Sequence, residues 1–240
     1  MQPAHDSLER LVPDRLAVPD ASGLATLDLH LARYEFAARH LRPGRALDLA
    51  CGVGYGTRLL ADRAGVPVVG ADLSPEAIAY AKSRYGKPGV EFRIADAMRF
   101  EDAEGFDSIV SLETVEHLPD PAGFLARAVA LLRPGGSFVA SVPTTPSTDL
   151  NPHHRHDFSE RSFRRAVAVH GLAELDCLRQ VQRVPLRSVL GRRELRMGDL
   201  RKNLPAYYAR NPRALARRIA TTLRHGLANH YITIAWRKPA

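Results

Sequence analysis

Two cysteines in 240 residues, Cys51 and Cys177, leave no material for a disulfide framework or a cysteine-based metal cluster. A reducing cytoplasm is the expected compartment. Long apolar runs are missing as well: no window approaches the roughly 18 uninterrupted apolar residues of a membrane span. The amino terminus, MQPAHDSLERLVPDRL, lacks the apolar core of an export signal, so a chain that is neither exported nor membrane-spanning is expected. Internal repeats and low-complexity tracts are absent on inspection. Acidic residues are in deficit, with 26 Asp+Glu against 34 Lys+Arg and a formal net charge of +8. Spread evenly, that balance would suit a polyanionic partner. It is not spread evenly: residues 179–240 hold 15 Lys+Arg and 2 Asp+Glu, a net of +13, which leaves −5 for residues 1–178. What remains, at 45% hydrophobic and 25% charged, is an ordinary globular composition long enough for one domain.

Short apolar runs alternate with longer amphipathic ones. Leu27, Leu31, Tyr34, Ala38 and Leu41 fall at helical spacing in 24–41, and Arg-Pro-Gly at 42–44 stops that helix. Strands are predicted at 46–50, 66–72, 90–96, 106–112 and 137–143, with helices at 57–64, 75–85 and 121–132 between them. Ser-Pro at 74–75 and Asp-Pro at 120–121 open helices, and RPGG at 133–136 closes one. Such alternation argues for a parallel sheet covered on both faces. After Pro143 comes TTPSTDLNPHHRHDFSE, too rich in Pro and His for a plain connector and typical of a functional loop. A helix through His170 follows Ser159 and Ser162. Residues 172–181 and 231–237 then suit a terminal antiparallel hairpin.

The sharpest local feature is ALDLACGVGYGTRLL, a strand, a tight glycine turn and a helix start. Gly52 and Gly54 permit close approach of a ligand to backbone, and helix-start amides suit a carboxylate or phosphate. A dinucleotide fingerprint beginning at Gly52 needs glycine at 57, where the chain has Thr57. No Lys-Ser or Lys-Thr pair follows to make a phosphate-binding loop. Asp72 ends the second strand 20 residues after Gly52, where an acid can take both ribose hydroxyls of an adenosine, and Asp96 ends the third. Each acid alone also reads as a cap or turn residue. Together, beside a glycine turn, they point to the ligand crevice at the carboxyl ends of the strands.

DLACGVGYG at 48–56, VVGADLSP at 68–75, ADA at 95–97, FDSIVSLETVEHLPDP at 106–121 and LLRPGGSF at 131–138 resemble the class I S-adenosylmethionine-dependent methyltransferases. The resemblance spans roughly residues 27 to 170. It implies an α/β fold, a Rossmann-like, mostly parallel seven-stranded sheet with helices on both faces and the last strand antiparallel. Ala50 departs from the pattern, standing where many members carry the first glycine of the turn. By the same resemblance, Asp48, Ala50, Gly52 and Gly54 would surround the methionine part of S-adenosylmethionine. Asp72 and Leu73 would hold the ribose and flank the adenine, Asp96 and the Ala97 amide would take the adenine edge, and Ser111 and Leu112 would offer carbonyls near the sulfonium. HLARY at 30–34 is similar to the H-x-x-R-Y segment of a subgroup found in glycan and natural-product pathways, in which Tyr34 would close over the cofactor carboxylate.

Methyl transfer from a sulfonium is an in-line displacement, so alignment matters most, and a base is needed where the acceptor must lose a proton. Histidine is the usual supplier. NPHHRHDFS at 151–159 is similar to the N-P-x-H-x-x-[DE]-F-[ST] segment of the same subgroup, with His154 at the histidine position. His154 is therefore the first candidate base and His117 the second, although Glu116-His117 also reads as a structural pair. His153 and His156 read as solvated loop histidines. No metal is expected, since His-His-x-His lacks a helical i, i+4 pair and a partner cysteine.

The basic tail reads first as an ordinary solvated helix face, with Leu215, Ile219 and Leu223 among arginines. A lid or acceptor pocket for an anionic or glycosylated small molecule comes next, and a nucleic-acid surface third. The 204–212 stretch is a candidate homodimer element. The [DNS]-P-P-[YF] segment of nucleic-acid amino-methylating enzymes is missing; SLET stands after the fourth strand instead. The expected organisation is one methyltransferase domain over 1–240: a helical cap at 1–44, a cofactor-binding core at 45–178, a basic helical insertion at 179–229 and a last strand at 230–240. The expected activity is methyl transfer to an oxygen of a small molecule of natural-product or sugar-containing type. Alternatives are small-molecule N-methylation, nucleic-acid methylation through the tail, and a cofactor-binding scaffold without activity.

Overall fold

The computed structural model of the chain describes residues 12–13, 21–183, 201 and 203–240. RRELR at 192–196, which carries part of the basic tail, lies outside the described residues. The elements follow the punctuation in the sequence: α1 (Ala21–His40), β1 (Ala46–Leu49), α2 (Tyr55–Ala64), β2 (Val68–Asp72), α3 (Pro75–Tyr85), β3 (Val90–Ile94), β4 (Phe106–Leu112), α4 (Pro121–Leu131), β5 (Leu132–Pro143), α5 (Glu160–Ala168), β6 (Ala173–Arg183), α6 (Leu204–Arg210), α7 (Pro212–His225) and β7 (Ala228–Arg237). Pro75 and Pro121 stand in the first turns of α3 and α4, where a missing N–H costs nothing. Ser74 Oγ accepts from Ala77 N at 3.2 Å and Asp120 Oδ1 from Gly123 N at 2.9 Å, capping both helices. RPGG does end a helix, but it also belongs to β5, which begins at Leu132 rather than Ser137. Leu132 pairs with Phe106, and the register then shifts before Ser137 pairs with Ser108. The glycines thus form an irregular start to the strand.

The sheet has seven strands in the order β3-β2-β1-β4-β5-β7-β6. β3, β2, β1, β4 and β5 pair in parallel, whereas β7 runs antiparallel to both β5 and β6. Successive residues feed opposite cores, as the pleat requires. Ile109, Phe138 and Ile234 pack with α4 and α5 side chains such as Phe124, Leu125, Phe163 and Val167. Val110, Val139 and Ala235 pack with Tyr34, Phe36 and Ala37 of α1 and Leu60 and Ala61 of α2. The fold is therefore a doubly wound α/β sandwich. Because the strand order reverses between β1 and β4, their carboxyl ends open a crevice, and the glycine turn, Asp72 and Ser111 all end there.

The basic segment departs from the usual amphipathic arrangement. Leu215, Ile219 and Leu223 of α7 are exposed by 40%, 52% and 83%, while Ala214 is buried. The inward side of this helix is set by polar contacts of Arg218 with the loop that follows β5.

Candidate active site

The turn after β1 is built by backbone that bends where the sequence allows it. Gly52 and Gly54 have φ of 57° and 87°, and a side chain at Gly52 would project into open space. Ala50 shares this left-handed conformation at φ 68° without being glycine, while its N–H donates to Ala71 O at 2.8 Å. An L-residue there costs about 1–2 kcal/mol relative to its preferred conformations. Ala50→Gly is accordingly expected to raise the unfolding free energy by about 0.5–1 kcal/mol in urea denaturation. A loss of stability would show that Ala50 is not strained. Asp72 anchors the turn from the next strand: Oδ2 accepts from Gly52 N and Oδ1 from Ser74 N, each at 2.9 Å. Beside it Leu73 is 68% exposed, a large apolar side chain left open to solvent. Asp96 Oδ1 accepts from Met98 N at 2.9 Å, so this acid also serves its own turn, and Ala97 is partly buried against the main core.

Asp48 is fully buried in the middle of the sheet. Thr57 Oγ1 donates to its Oδ2 at 2.7 Å, and the Tyr34 hydroxyl stands 3.4 Å from both oxygens. The residue that spoils the dinucleotide fingerprint therefore has its own task, holding a buried acid. Burial raises the Asp48 carboxyl to about 7, against the lowering effect of the Thr57 and Tyr34 hydrogen bonds. Tyr34 lies against Gly56, where any Cβ would overlap its ring, so this third glycine is required by packing. The Tyr34 hydroxyl is thereby directed at Asp48. Burial likewise pushes the Cys51 thiol well above its ordinary range, which makes it an inert core residue.

At the tip of β4, Ser111 is buried and its hydroxyl donates to Leu49 O at 2.9 Å, tying the two central strands together. Leu112 O accepts from Thr114 Oγ1 at 3.0 Å. A short 3-10 turn, Val115–His117, then presents His117. The loop after β5 folds back onto it: Arg155 N and His156 N donate to Glu116 O, and the His117 Nδ1 is 3.2 Å from His153 O. The His117 and His154 rings meet edge to face at 4.7 Å, so the two histidines picked out by sequence share one place. His154 Nδ1 lies 2.6 Å from Ser147 Oγ. His117 also fits its structural reading, since its Nε2 is 3.7 Å from the buried Glu116 carboxylate. One donor atom from each of Glu116, His117 and His154 lies within 4.8 Å of the others, which are the residues here that could share a cation or a proton. His153 is exposed and meets this cluster only through its backbone carbonyl on His117.

Sequence reasoning missed a buried polar network behind these residues. Arg33, 1% exposed, donates from Nε to Gln180 Oε1 at 2.8 Å, lies 3.6 Å from Glu113 Oε2 and stacks 4.3 Å over the Tyr231 ring. Glu113 has φ 49°, an unusual conformation for a side-chain-bearing residue, and its Oε1 accepts from Ser141 Oγ at 2.7 Å. Arg33 was visible as the arginine of HLARY, yet nothing nearby in sequence named its partners. A groove of about 990 Å³ at the opposite end of the sheet, lined by Arg45, Asp107 and Arg133, is occupied with ion pairs: Arg45 with Asp102 and Arg133 with Asp107. It holds no pairing of base and acid comparable to the histidine cluster.

An open doubly wound sheet, a glycine turn with room above it, and acids at successive strand tips beside an exposed Leu73 fit a nucleoside linked to an amino acid. Residues 47–140 match the family described as "Methyltransferase domain". Residues 47–140 therefore form a methyltransferase domain of the S-adenosylmethionine-dependent class, and S-adenosylmethionine is its cofactor. A probable S-adenosylmethionine-dependent methyltransferase of Mycolicibacterium smegmatis is 31% identical over 166 residues, covering 65% of this chain and 64% of the relative. A ubiquinone biosynthesis O-methyltransferase of Xanthomonas axonopodis pv. citri is 32% identical over 126 residues, covering 50% of this chain and 52% of the relative. The chain thus spans one half to two thirds of these relatives' lengths. The crystal structure of a putative methyltransferase from Bacillus halodurans superposes with a TM-score of 0.67 at 17% identity, covering 88% of this chain and 98% of that one, which shows the same fold. No helix among the described residues is long and apolar enough to cross a membrane.

Proposed function

We propose that the chain transfers the methyl group of S-adenosylmethionine to an oxygen of a small molecule of natural-product or sugar-containing type, in the cytoplasm, with His154 as the base. The observation that carries this reading is the meeting of His154 and His117 in one cluster at the carboxyl end of the sheet. The bound cofactor supplies an electrophilic methyl and a neutral leaving thioether. Asp48, Ala50, Gly52 and Gly54 would hold its methionine part, Asp72 and Leu73 its ribose and adenine, Asp96 and Ala97 the adenine edge, and Ser111 and Leu112 the region of the sulfonium. His154 would take the proton of the acceptor hydroxyl as that oxygen receives the methyl group. For His154 to act at Nε2 its Nδ1–H must donate to Ser147 Oγ, which lies 2.6 Å away. His117 and Glu116 stabilise the imidazolium that results.

Oxygen is favoured over nitrogen because an alcohol needs the base more than an amine does. Nucleic acid is disfavoured because two basic residues of the tail are spent inside the molecule, Arg218 on Asp149 and Arg201 on the backbone of the same loop. The single-domain layout, with 1–44 as cap and 179–229 as basic insertion, belongs to the same proposal.

His154→Ala should leave S-adenosylhomocysteine affinity within about two-fold by calorimetry. Methyl transfer to the acceptor, identified by mass spectrometry of an incubated cell extract, should fall about 10²–10⁴-fold, the range of general-base loss. Turnover within a few-fold of the native rate would remove His154 from the mechanism.

A further inference from the structure

The loop carrying His154 is held partly by its own hydrogen bonds and partly by the basic segment. Residues 147–151 form a single tight turn, with Leu150 N and Asn151 N both donating to Ser147 O. Both ends of that turn touch His154: Ser147 Oγ reaches its Nδ1 at 2.6 Å, and Asn151 O accepts its backbone N–H at 3.2 Å. Asp157 caps the turn from one side, with Oδ1 accepting from Ser147 N and Thr148 N. On the other side, in the middle of the turn, is Asp149, 7% exposed. Its carboxylate accepts from Tyr208 Oη of α6 at 2.6 Å and from Arg218 of α7 through both Nε, at 2.8 Å, and Nη2.

The backbone around the turn is held by Arg218 and by a second arginine, Arg201. Arg218 Nη2 also donates to Pro146 O at 3.0 Å. Arg201 donates from its backbone N–H to Leu150 O at 2.9 Å and from Nε to Asp149 O at 3.0 Å, and its guanidinium stacks 4.3 Å over Tyr207. Burial alone would raise the Asp149 carboxyl, but Arg218 and Tyr208 outweigh it and hold the acid below its ordinary range, so it is an anion under working conditions.

We infer that Asp149 is a positioning residue for the reaction: through it α6 and α7 fix the turn that orients the His154 ring. This rests on the reading of His154 as base and extends it, because it gives the basic segment a part in catalysis that is neither a solvated face nor a nucleic-acid surface. A base that must meet one proton along one line loses rate when its ring is free to swing. The hydrogen bonds of Asp149 and Arg218 run to each other, to Tyr208, to Arg201 and to Pro146 O, not to the residues assigned to the cofactor, so they act through Ser147 and Asn151.

The test uses the full chain with S-adenosylhomocysteine present and nitrogen-15 labelled histidine. In the native protein the His154 ring should show one tautomer, the Nδ1–H form in which that proton is donated to Ser147 Oγ. In Asp149→Asn and Arg218→Met the ring should show averaged tautomers, while the remote His40 and His170 signals stay put and cofactor affinity stays within about two-fold. With the acceptor in hand, kcat should fall about 10- to 100-fold and KM less than three-fold, the pattern of misplacement rather than lost binding. Tyr208→Phe, which removes one donor from a part-buried edge, gives a milder form of the same change should Asp149→Asn unfold. A His154 signature identical to the native one in Arg218→Met and Tyr208→Phe overturns the inference. Failure of the base reading looks different: His154→Ala would keep its turnover while the tautomer response to Arg218→Met persisted.

Discussion

Asp72→Ala is expected to weaken S-adenosylhomocysteine binding by about 100-fold. Two hydrogen bonds from ribose hydroxyls to an ionised carboxylate contribute about 1.5–3 kcal/mol each when both partners are well placed. Losing both, with partial replacement by water, leaves a net of about 2.7 kcal/mol, which is the hundred-fold. The carboxylate is preset for this, since Gly52 N and Ser74 N each hold one of its oxygens and fix the plane of the group. The variant also strips an acceptor from the glycine turn, so part of its effect could arise from a collapsed turn. Asp72→Asn separates the two: it keeps one oxygen for Ser74 N and the shape of the side chain, and should lose about 10-fold in affinity with little change in thermal midpoint. Calorimetric affinity within three-fold of native in Asp72→Ala would remove this acid from the cofactor site.

The reach of sequence reasoning varies with the range of the interaction. α3 and β4 begin and end where the sequence puts them, because Ser74-Pro75 at one helix start and the short apolar run 106–112 are local signals. RPGG is a strong breaker and predicts a β5 that starts at Ser137; the strand accommodates it by a register shift between Phe106 and Ser108, which only the pairing partner reveals. In the site, the motifs placed Asp72, Gly52 and the histidines at one end of the sheet, and the rings of His117 and His154 do meet. Their surroundings were not legible. Arg33 and Gln180 are 147 residues apart in sequence, and Arg218 and Asp149 are 69 apart. Neither pair lies within a repeat or motif that would link its members. Asp149 in particular looked like one more polar residue in a loop full of them. The arginine-rich tail was the harder case, because composition records charge and not whether that charge is spent inside the fold.

Asp48 provides the other large effect, a dependence of stability on pH that runs opposite to that of the surface acids. Its carboxyl is raised to about 7 by burial, with Asp72 adding to the rise and the Thr57 and Tyr34 hydrogen bonds opposing it. The unfolded chain titrates this group near 3.9. A group whose folded value lies above its unfolded one binds its proton more tightly in the native state. Its contribution is therefore complete below about pH 4 and is lost as pH rises through about 7. Across that window the loss is about 1.4 kcal/mol per pH unit, or about 4 kcal/mol in all. Asp62, Glu91, Asp102 and Glu160 are shifted downward by their arginine and lysine partners and pull the other way, so the raw profile of the protein mixes both signs. Subtracting the profile of Asp48→Asn isolates the buried acid, because the surface pairs are distant and cancel. Asparagine can still accept from Thr57 Oγ1, so the variant should match the native protein near pH 4 and be the more stable of the two at pH 8. Saturating S-adenosylmethionine, whose sulfonium and ammonium outweigh its carboxylate, favours the ionised acid when held beside it and should flatten the difference curve. A difference curve that is flat without ligand would mean that Asp48 titrates near its ordinary value. A slope unaffected by the ligand would place the cofactor's charges elsewhere in the crevice.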